Sequence, residues 1–322
     1  MKPATMIGLG AALLLTVHAA SGQSYPNRTI RMVIPYTPGG AIDTVARRIV
    51  HEWVGKLGQQ IVVDNRGGAG GTIGTELVAK APPNGYTILY GNIGPLAVGP
   101  HLYEKLGYDV FKDFAPVTLA TSAPFMLFVS TKLPVNSVKE LIAYAKERPG
   151  KLNYASSGMG SGLHLTSELF ARVASINIVH IPFKGIGVAV PEMAAGRVHI
   201  LTYPFSGAEP HVKAGLIKPL MIAGTRRSPH YPEVPTSVEQ GMPSFDSAAW
   251  HAIVAPARTP RPVVLKLQQT FKAAVAAPEL QKMMAAIDVE LVGSSPEELA
   301  KFLRAENDKW RTIIRSAGIK LE

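Results

Sequence analysis

The chain has 322 residues, a formal net charge of +10 and no cysteine. Without cysteine there can be no disulfide, thiolate metal site, cysteine nucleophile or lipid-modified cysteine. The basic balance suits an anionic partner, but Arg47-Arg48 and Arg226-Arg227 are isolated pairs. No dense basic run marks a nucleic-acid binder.

Residues 1–23 read as a secretory signal peptide. Lys2 supplies the positive start, residues 6–17 are an apolar run too short to span a bilayer, and Ala19, Ala20, Ser21 and Gly22 supply the small residues near a cleavage site. No later apolar stretch is long enough to cross a membrane, so a soluble, exported, periplasmic protein is expected. Roughly 300 residues would remain, which favours two domains.

The most informative segment comes next. Residues 32–34 read as a strand, Pro38-Gly39-Gly40 turn the chain, and Asp43 opens a helix with Val45, Ala46, Ile49 and Val50 at helical spacing. A helix start leaves backbone N–H groups without partners at the positive end of its dipole. Glycines there let a ligand approach the backbone. The cargo such a loop suits is an anion, carboxylate as well as phosphate.

Further strands are expected at 61–64 and 86–90, with a helix at 75–80 between them and a turn at Pro82-Pro83-Asn84-Gly85. Asn92 follows the second of these strands. Alternating strands and helices predict an α/β fold with mixed, mostly parallel sheets covered by helices. The apolar runs 114–120 and 125–130 are placed to carry the chain from one lobe to another. Ser137 caps a helix over 138–147. Strands at 152–155, 178–181, 198–202 and 219–224 and helices at 163–173 and 188–195 form a second unit. After Pro-rich loops, a strand at 250–254 and helices at 262–276 and 296–317 return to the first. The expected division is 24–123 for the first lobe, 124–225 for the second, and 226–322 completing the first.

Three Gly-rich strand-to-helix loops, 37–43, 67–74 and 156–162, occupy comparable places. Ligands in open α/β sheets bind outside the carboxyl ends of strands, so loops facing each other from two lobes would line one cleft. Gly158-Met159-Gly160-Ser161-Gly162 is no dinucleotide fingerprint, because its third glycine position is Leu163. Ser161 can cap the next helix and His164 then sits in its first turn, but no G-x-S-x-G elbow or orienting acid makes them a catalytic pair. The histidines are scattered and no metal-ligating or catalytic carboxylate cluster appears, so no metal, cofactor or enzyme activity is expected. Lys184 follows a strand and either reaches the cleft or is solvated. Tyr203 ends a strand and either lines the cleft or supports packing. Trp250 and His251 read as core or hinge.

Together these segments resemble the Bug/TctC family, the periplasmic receptors of tripartite tricarboxylate transporters. The resemblance runs from Tyr25-Pro26-Asn27-Arg28 and the 35–43 motif through Asp64-Asn65-Arg66-Gly67-Gly68-Ala69-Gly70-Gly71. It continues in Pro83-Asn84-Gly85-Tyr86-Thr87, residues 156–165, Phe183-Lys184-Gly185, Val234-Pro235-Thr236 and Glu239-Gln240-Gly241-Met242-Pro243. It implies a two-lobed type II periplasmic binding protein fold, a monomer, with a small organic carboxylate held in the cleft between the lobes by backbone N–H groups, hydroxyls and waters. Carried onto this chain, the ligand-binding candidates are Pro38, Gly39, Gly40, Asp43 and Asn92 on one lobe, and Ser156, Ser157, Ser161 and His164 on the other. The loops and strand ends themselves add Thr37, Gly158, Lys184 and Tyr203 as ligand-binding candidates.

The family often has Tyr-Lys-Gly where this chain has Phe183-Lys184-Gly185, and acidic residues where it has His199 and Tyr203. An ammonium group would then lack a partner, which favours an aliphatic or aromatic carboxylate over an amino acid. The expected role is a solute receptor that delivers its ligand to a two-component membrane permease. The alternatives are a ligand-sensing module for a signalling partner and, further off, an exported enzyme.

Overall fold

The computed structural model describes residues 25–317; the expected signal peptide lies outside them. The first part of the chain runs β1 (Ile30–Ile34), α1 (Ala41–Leu57), β2 (Ile61–Asn65), α2 (Thr72–Ala79) and β3 (Thr87–Asn92). A π-helical turn (Gly94–Val98) and the short α3 (Gly99–Leu102) follow, and neither is signalled by the sequence pattern. β4 (Phe114–Ser130) is one strand of 17 residues. The two apolar runs expected there are joined because residues through Pro124 continue to pair with a later strand, with register shifts at Pro116/Thr118 and Leu119/Thr121 absorbing the irregularity.

The middle part contains α4 (Val138–Glu147), β5 (Asn153–Ser156), α5 (Gly162–Val173), β6 (Val179–Pro182), α6 (Ile186–Ala194), β7 (Ile200–Pro204), α7 (Phe205–Lys213) and β8 (Ile217–Ile222). The last part contains β9 (Ala248–Pro256), α8 (Arg261–Val275), α9 (Pro278–Ala285), β10 (Glu290–Leu291) and α10 (Pro296–Ala317). Ser137 caps α4 as its sequence predicts, its hydroxyl accepting from the Glu140 N–H.

The strands form one continuous curled sheet in the order β2-β1-β3-β9-β4-β7-β5-β6, with β8 and β10 added on β4. Parallel pairing holds in the outer strands, where helices connect neighbours: β1 with β2 and β3, β5 with β6 and β7. The pairs made by β4 and β9 are antiparallel. β4 spans both halves. Its residues through Pro124 pair with β9, and those from Phe125 pair with β7.

Packing follows the strand period of two. In β3, Ile88 and Tyr90 enter one core with Trp53 and Phe271, while Leu89 enters the core on the other face with Trp250 and Trp310. Trp53 of α1 meets Phe271 of α8 edge-on at 5.2 Å and donates to Thr270 Oγ1 at 3.0 Å. The other half has its own core, with Phe128, Tyr154, Phe170 and Leu201. Val234, Met242 and Phe245 belong to that core as well. The expected division after residue 225 therefore cuts through it: the Pro-rich loops fold back on β8, where Ile222 N bonds Pro235 O and Ser237 N bonds Ile222 O. The chain leaves this half at β9.

Candidate functional site

Between the two halves lies a pocket lined by residues of both. Its lining brings together the first residues of four helices. Gly40, Ala41 and Ile42 belong to the start of α1, Gly162 and Leu163 to α5, Gly185 and Ile186 to α6, and Pro204 precedes α7. The residues that precede α1, α6 and α7 supply no side-chain cap; the Ala41 N–H of α1 is taken by Tyr203 Oη, and the other first N–H groups are left to other acceptors. Only α5 is capped, by Ser161 Oγ accepting from the His164 N–H at 3.3 Å. No Asp, Glu, Lys or Arg lines the pocket among the described residues. Its remaining walls are apolar (Ile93, Phe125, Ala249) or neutral and polar (Tyr36, Asn92, Ser157, Tyr203, His251). Helix starts with no charged side chain on the pocket wall can hold an anion through oriented dipoles.

Of the residues singled out by sequence, Thr37, Gly40, Asn92, Ser157 and Tyr203 meet at this pocket. Tyr203 reaches from β7 across the interface, its hydroxyl accepting the Ala41 N–H at 2.8 Å. Burial pushes the phenol up to about 12, against the hydrogen bond from Ala41. Asn92 Oδ1 accepts from Tyr36 Oη at 3.0 Å and from the Gly94 N–H at 3.3 Å. Those bonds fix the orientation of the amide.

The other candidates are not on the pocket wall. Asp43 is buried and holds the turn together: its carboxylate accepts from the Gly39 N–H at 3.0 Å, from Arg47 Nε and from Asn65 Nδ2. Burial pushes that carboxyl up, but the bonds from Arg47, Gly39 and Asn65 outweigh it and hold it below its ordinary range. Pro38 and Gly39 are exposed beside that turn. Ser156 accepts from the Gly158 N–H at 3.1 Å and pairs with His180 Nε2 at 2.6 Å. His164 Nδ1 accepts from the Gly160 N–H at 3.2 Å, and its ring stacks on His180 at 4.1 Å. Burial pushes His164 down to about 4; burial and then the neighbouring His164 push His180 down to about 3. Ser156, Gly158, Ser161 and His164 thus form the internal scaffold of the second loop. The Lys184 side chain is exposed; its carbonyl accepts from Thr37 Oγ1 across the interface at 3.4 Å. His199 bonds Asn153 instead of joining the pocket.

The loop 67–74 does not line the pocket but closes the interface beside it. Gly70 lies so near the second half that a Cβ on it would stand 2.5 Å from Met159 O. Tyr103 Oη donates to the same carbonyl at 3.0 Å. Sequence reasoning missed Tyr36, though it sits inside the 35–43 motif, and gave His251 to the core or hinge. His251 is opposite Asn92 in the β3–β9 register, a pairing across 159 residues of sequence separation that no local pattern announces.

A curled α/β sheet in two packed halves with a pocket between them defines a solute-binding protein of the periplasmic-binding-protein class. The sequence profile described as "Tripartite tricarboxylate transporter family receptor" matches residues 45–319. The protein BugT of Bordetella pertussis is 35% identical over 318 residues, 98% of each chain. The solved structure of Rhodopseudomonas palustris Rpa4515 with adipate superposes with a TM-score of 0.89 at 36% identity, covering 92% of this chain and 100% of that one. MatC from Rhodopseudomonas palustris with bound malate gives 0.86 at 32% identity, covering 90% and 100%. The chain belongs to the Bug/TctC family of tripartite tricarboxylate transporter receptors, and the family and these neighbours are solute-binding proteins, not enzymes.

Proposed function

We propose that this protein is an extracytoplasmic receptor that captures an organic carboxylate and delivers it to a two-component membrane permease of the tripartite type. The observation that carries the reading is the pocket where three uncapped helix starts meet and no charged side chain intrudes. Dipoles of that kind favour a carboxylate, and the missing acidic side chain leaves an ammonium without a partner. The apolar wall of Ile42, Ile93, Phe125 and Ile186 suits a hydrocarbon chain or ring. An aliphatic or aromatic carboxylate fits both features, and the adipate and malate bound to the two solved relatives are of the aliphatic kind.

In this reading Thr37, Gly40, Asn92, Ser157 and Tyr203 touch the ligand, and the two packed halves are lobes that hinge where β4 and β9 cross between them. A periplasmic location follows from the receptor role, and no helix among the described residues is long and apolar enough to cross a membrane. The test is a thermal-shift screen of refolded, ligand-stripped protein against mono-, di-, tri- and aromatic carboxylates with amino acids alongside. At a hundredfold excess over Kd, binding stabilises by about 2.7 kcal/mol, a shift on the order of 5 °C for this size. A shift confined to amino acids, or none with any acid, defeats the reading.

A further inference from the structure

One group on the pocket wall has a property that simple anion capture does not use. His251 is 5% exposed and lines the pocket. β9 places it between Asn92 of β3 and Thr121 of β4. Its Nδ1 is held by Thr121 Oγ1 at 2.7 Å, and its ring stacks on Tyr90 at 5.1 Å. Tyr90 Oη stands 3.5 Å from the same Thr121 oxygen. Nε2 has no hydrogen-bond partner among the described residues, yet it is not among the polar atoms sealed in the interior. It therefore opens on the pocket.

The titratable groups that face this imidazole are all phenols. Tyr90 stacks on it from β3, Tyr36 bonds its neighbour Asn92, and Tyr203 stands on the same pocket wall from β7. β4 presents only Thr121, and α5 presents Gly162 and Leu163. No charged side chain on the wall compensates an imidazolium or a ligand carboxylate.

We propose that His251 couples ligand binding to protonation: it is neutral in the empty pocket and takes one proton from solvent as a ligand carboxylate settles against Nε2. The proposal rests on the carboxylate reading above. In the imidazolium form Nδ1–H donates to Thr121 Oγ1 and Nε2–H donates to the carboxylate, so both partners are already in place. Burial pushes His251 down to about 3 in the empty pocket. A carboxylate at hydrogen-bond distance, in a medium of effective dielectric constant about 20, raises the proton affinity of an imidazole roughly ten-thousandfold. The complex therefore holds the imidazole proton to a higher pH than the empty pocket does. Proton uptake then lies between zero and one per ligand. Affinity falls as pH rises, by up to tenfold for each pH unit, only over the range where the complex is protonated and the empty pocket is not, and levels off at higher pH where both are neutral.

The experiment is calorimetric titration of the protein with adipate and malate at pH 6, 7 and 8, in buffers of different ionisation enthalpy. The expected result is an observed enthalpy that varies with the buffer by the proton number above, and loses that dependence in His251→Gln, which keeps an amide donor but cannot titrate. Nitrogen NMR of the histidine-labelled wild-type protein reads the same event without a variant, as a move of the His251 ring signals to imidazolium values on adding ligand. Binding with the same enthalpy in every buffer, a proton uptake that survives in His251→Gln, or a neutral ring in the complex each overturns the proposal. If no member of the acid panel shifts the melting temperature or binds, the carboxylate reading itself fails and the proposal falls with it.

Discussion

Gly70→Ala tests whether the contact between the two Gly-rich loops belongs to the liganded state. Gly70 has φ +64, and its added Cβ would stand 2.5 Å from Met159 O and 3.1 Å from Gly160 C and Ser161 N. All three are backbone atoms, so no side-chain rotation relieves the clash; the loops must separate by about an ångström, on ordinary van der Waals distances. Separation breaks the Tyr103–Met159 bond and loosens the Tyr203–Ala41 bond beyond it. At about 1 kcal/mol each, the closed arrangement loses about 2 kcal/mol, roughly thirtyfold in its population and in ligand affinity. The left-handed backbone itself costs an alanine about 1 kcal/mol, and Gly150→Ala measures that cost alone. Gly150 has φ +71 and would meet nothing nearer than Asn177 Nδ2 at 3.9 Å. The assay is calorimetry with the acid that gives the largest thermal shift, plus small-angle scattering with and without it. Gly70→Ala should bind weakly and keep a larger radius of gyration at ligand concentrations that compact the wild type, while Gly150→Ala binds and compacts normally. Equal affinity and equal compaction in both variants would refute the role of this contact.

Tyr203→Phe removes the acceptor of the Ala41 N–H, a neutral hydrogen bond worth about 1 kcal/mol, and is expected to weaken ligand binding about fivefold; an unchanged Kd would show that the hydroxyl is incidental. Ser137→Ala removes the cap of α4, far from the pocket lining, and should lower stability by about 1 kcal/mol in denaturant titrations while leaving affinity unchanged. His164 and His180 are both held below their ordinary range, chiefly by burial. The unfolded chain therefore takes up their protons first, and stability falls as pH drops from about 6.5 towards 4. His180→Gln keeps a donor to Ser156 and is expected to flatten that loss in melting temperature between pH 7 and 4.5. A slope equal to the wild type's would place the acid sensitivity elsewhere.

What the sequence made legible is local. β1, the turn at Pro38-Gly39-Gly40, the α4 cap and α10 each follow from a few adjacent residues whose backbone and burial needs agree. Thr37, Gly40 and Ser157 line the pocket for the same reason: the loop that starts a helix also faces it. Asp43 and His164 lie off the pocket wall, because a polar residue near such a loop has two uses, touching a ligand or shaping the loop. Only the partners decide, and Asn65 and His180 are 22 and 16 residues away. Tyr36 and His251 depend on which strands become neighbours. α7 was not predicted because Pro210 interrupts its helical pattern, a break that packing of Phe205 and Ala208 into the second core overrides. The joining of two apolar runs into β4 was hidden by Pro116 and Pro124, which edge and bulge positions tolerate.

The charge of the chain and the charge of the pocket point in different directions, and the difference bears on how the receptor works. The molecule carries +10 overall, yet no lysine or arginine lines the pocket among the described residues. Surface charge acts at a distance, steering an anion towards the cleft in a manner that salt screens. In the proposed carboxylate reading, dipoles and hydroxyls fixed by the backbone then select the anion by geometry. A lysine in the pocket would attract any anion strongly and bring a desolvation cost when empty. Uncapped helix starts recruit no long flexible side chain, and they lie on both halves of the molecule: α1 on one, α6 and α7 on the other. A carboxylate that satisfies donors from both at once stabilises their approach, whereas one that satisfies a single half does not. In that reading the same arrangement supplies both selectivity and the differential contact for closure.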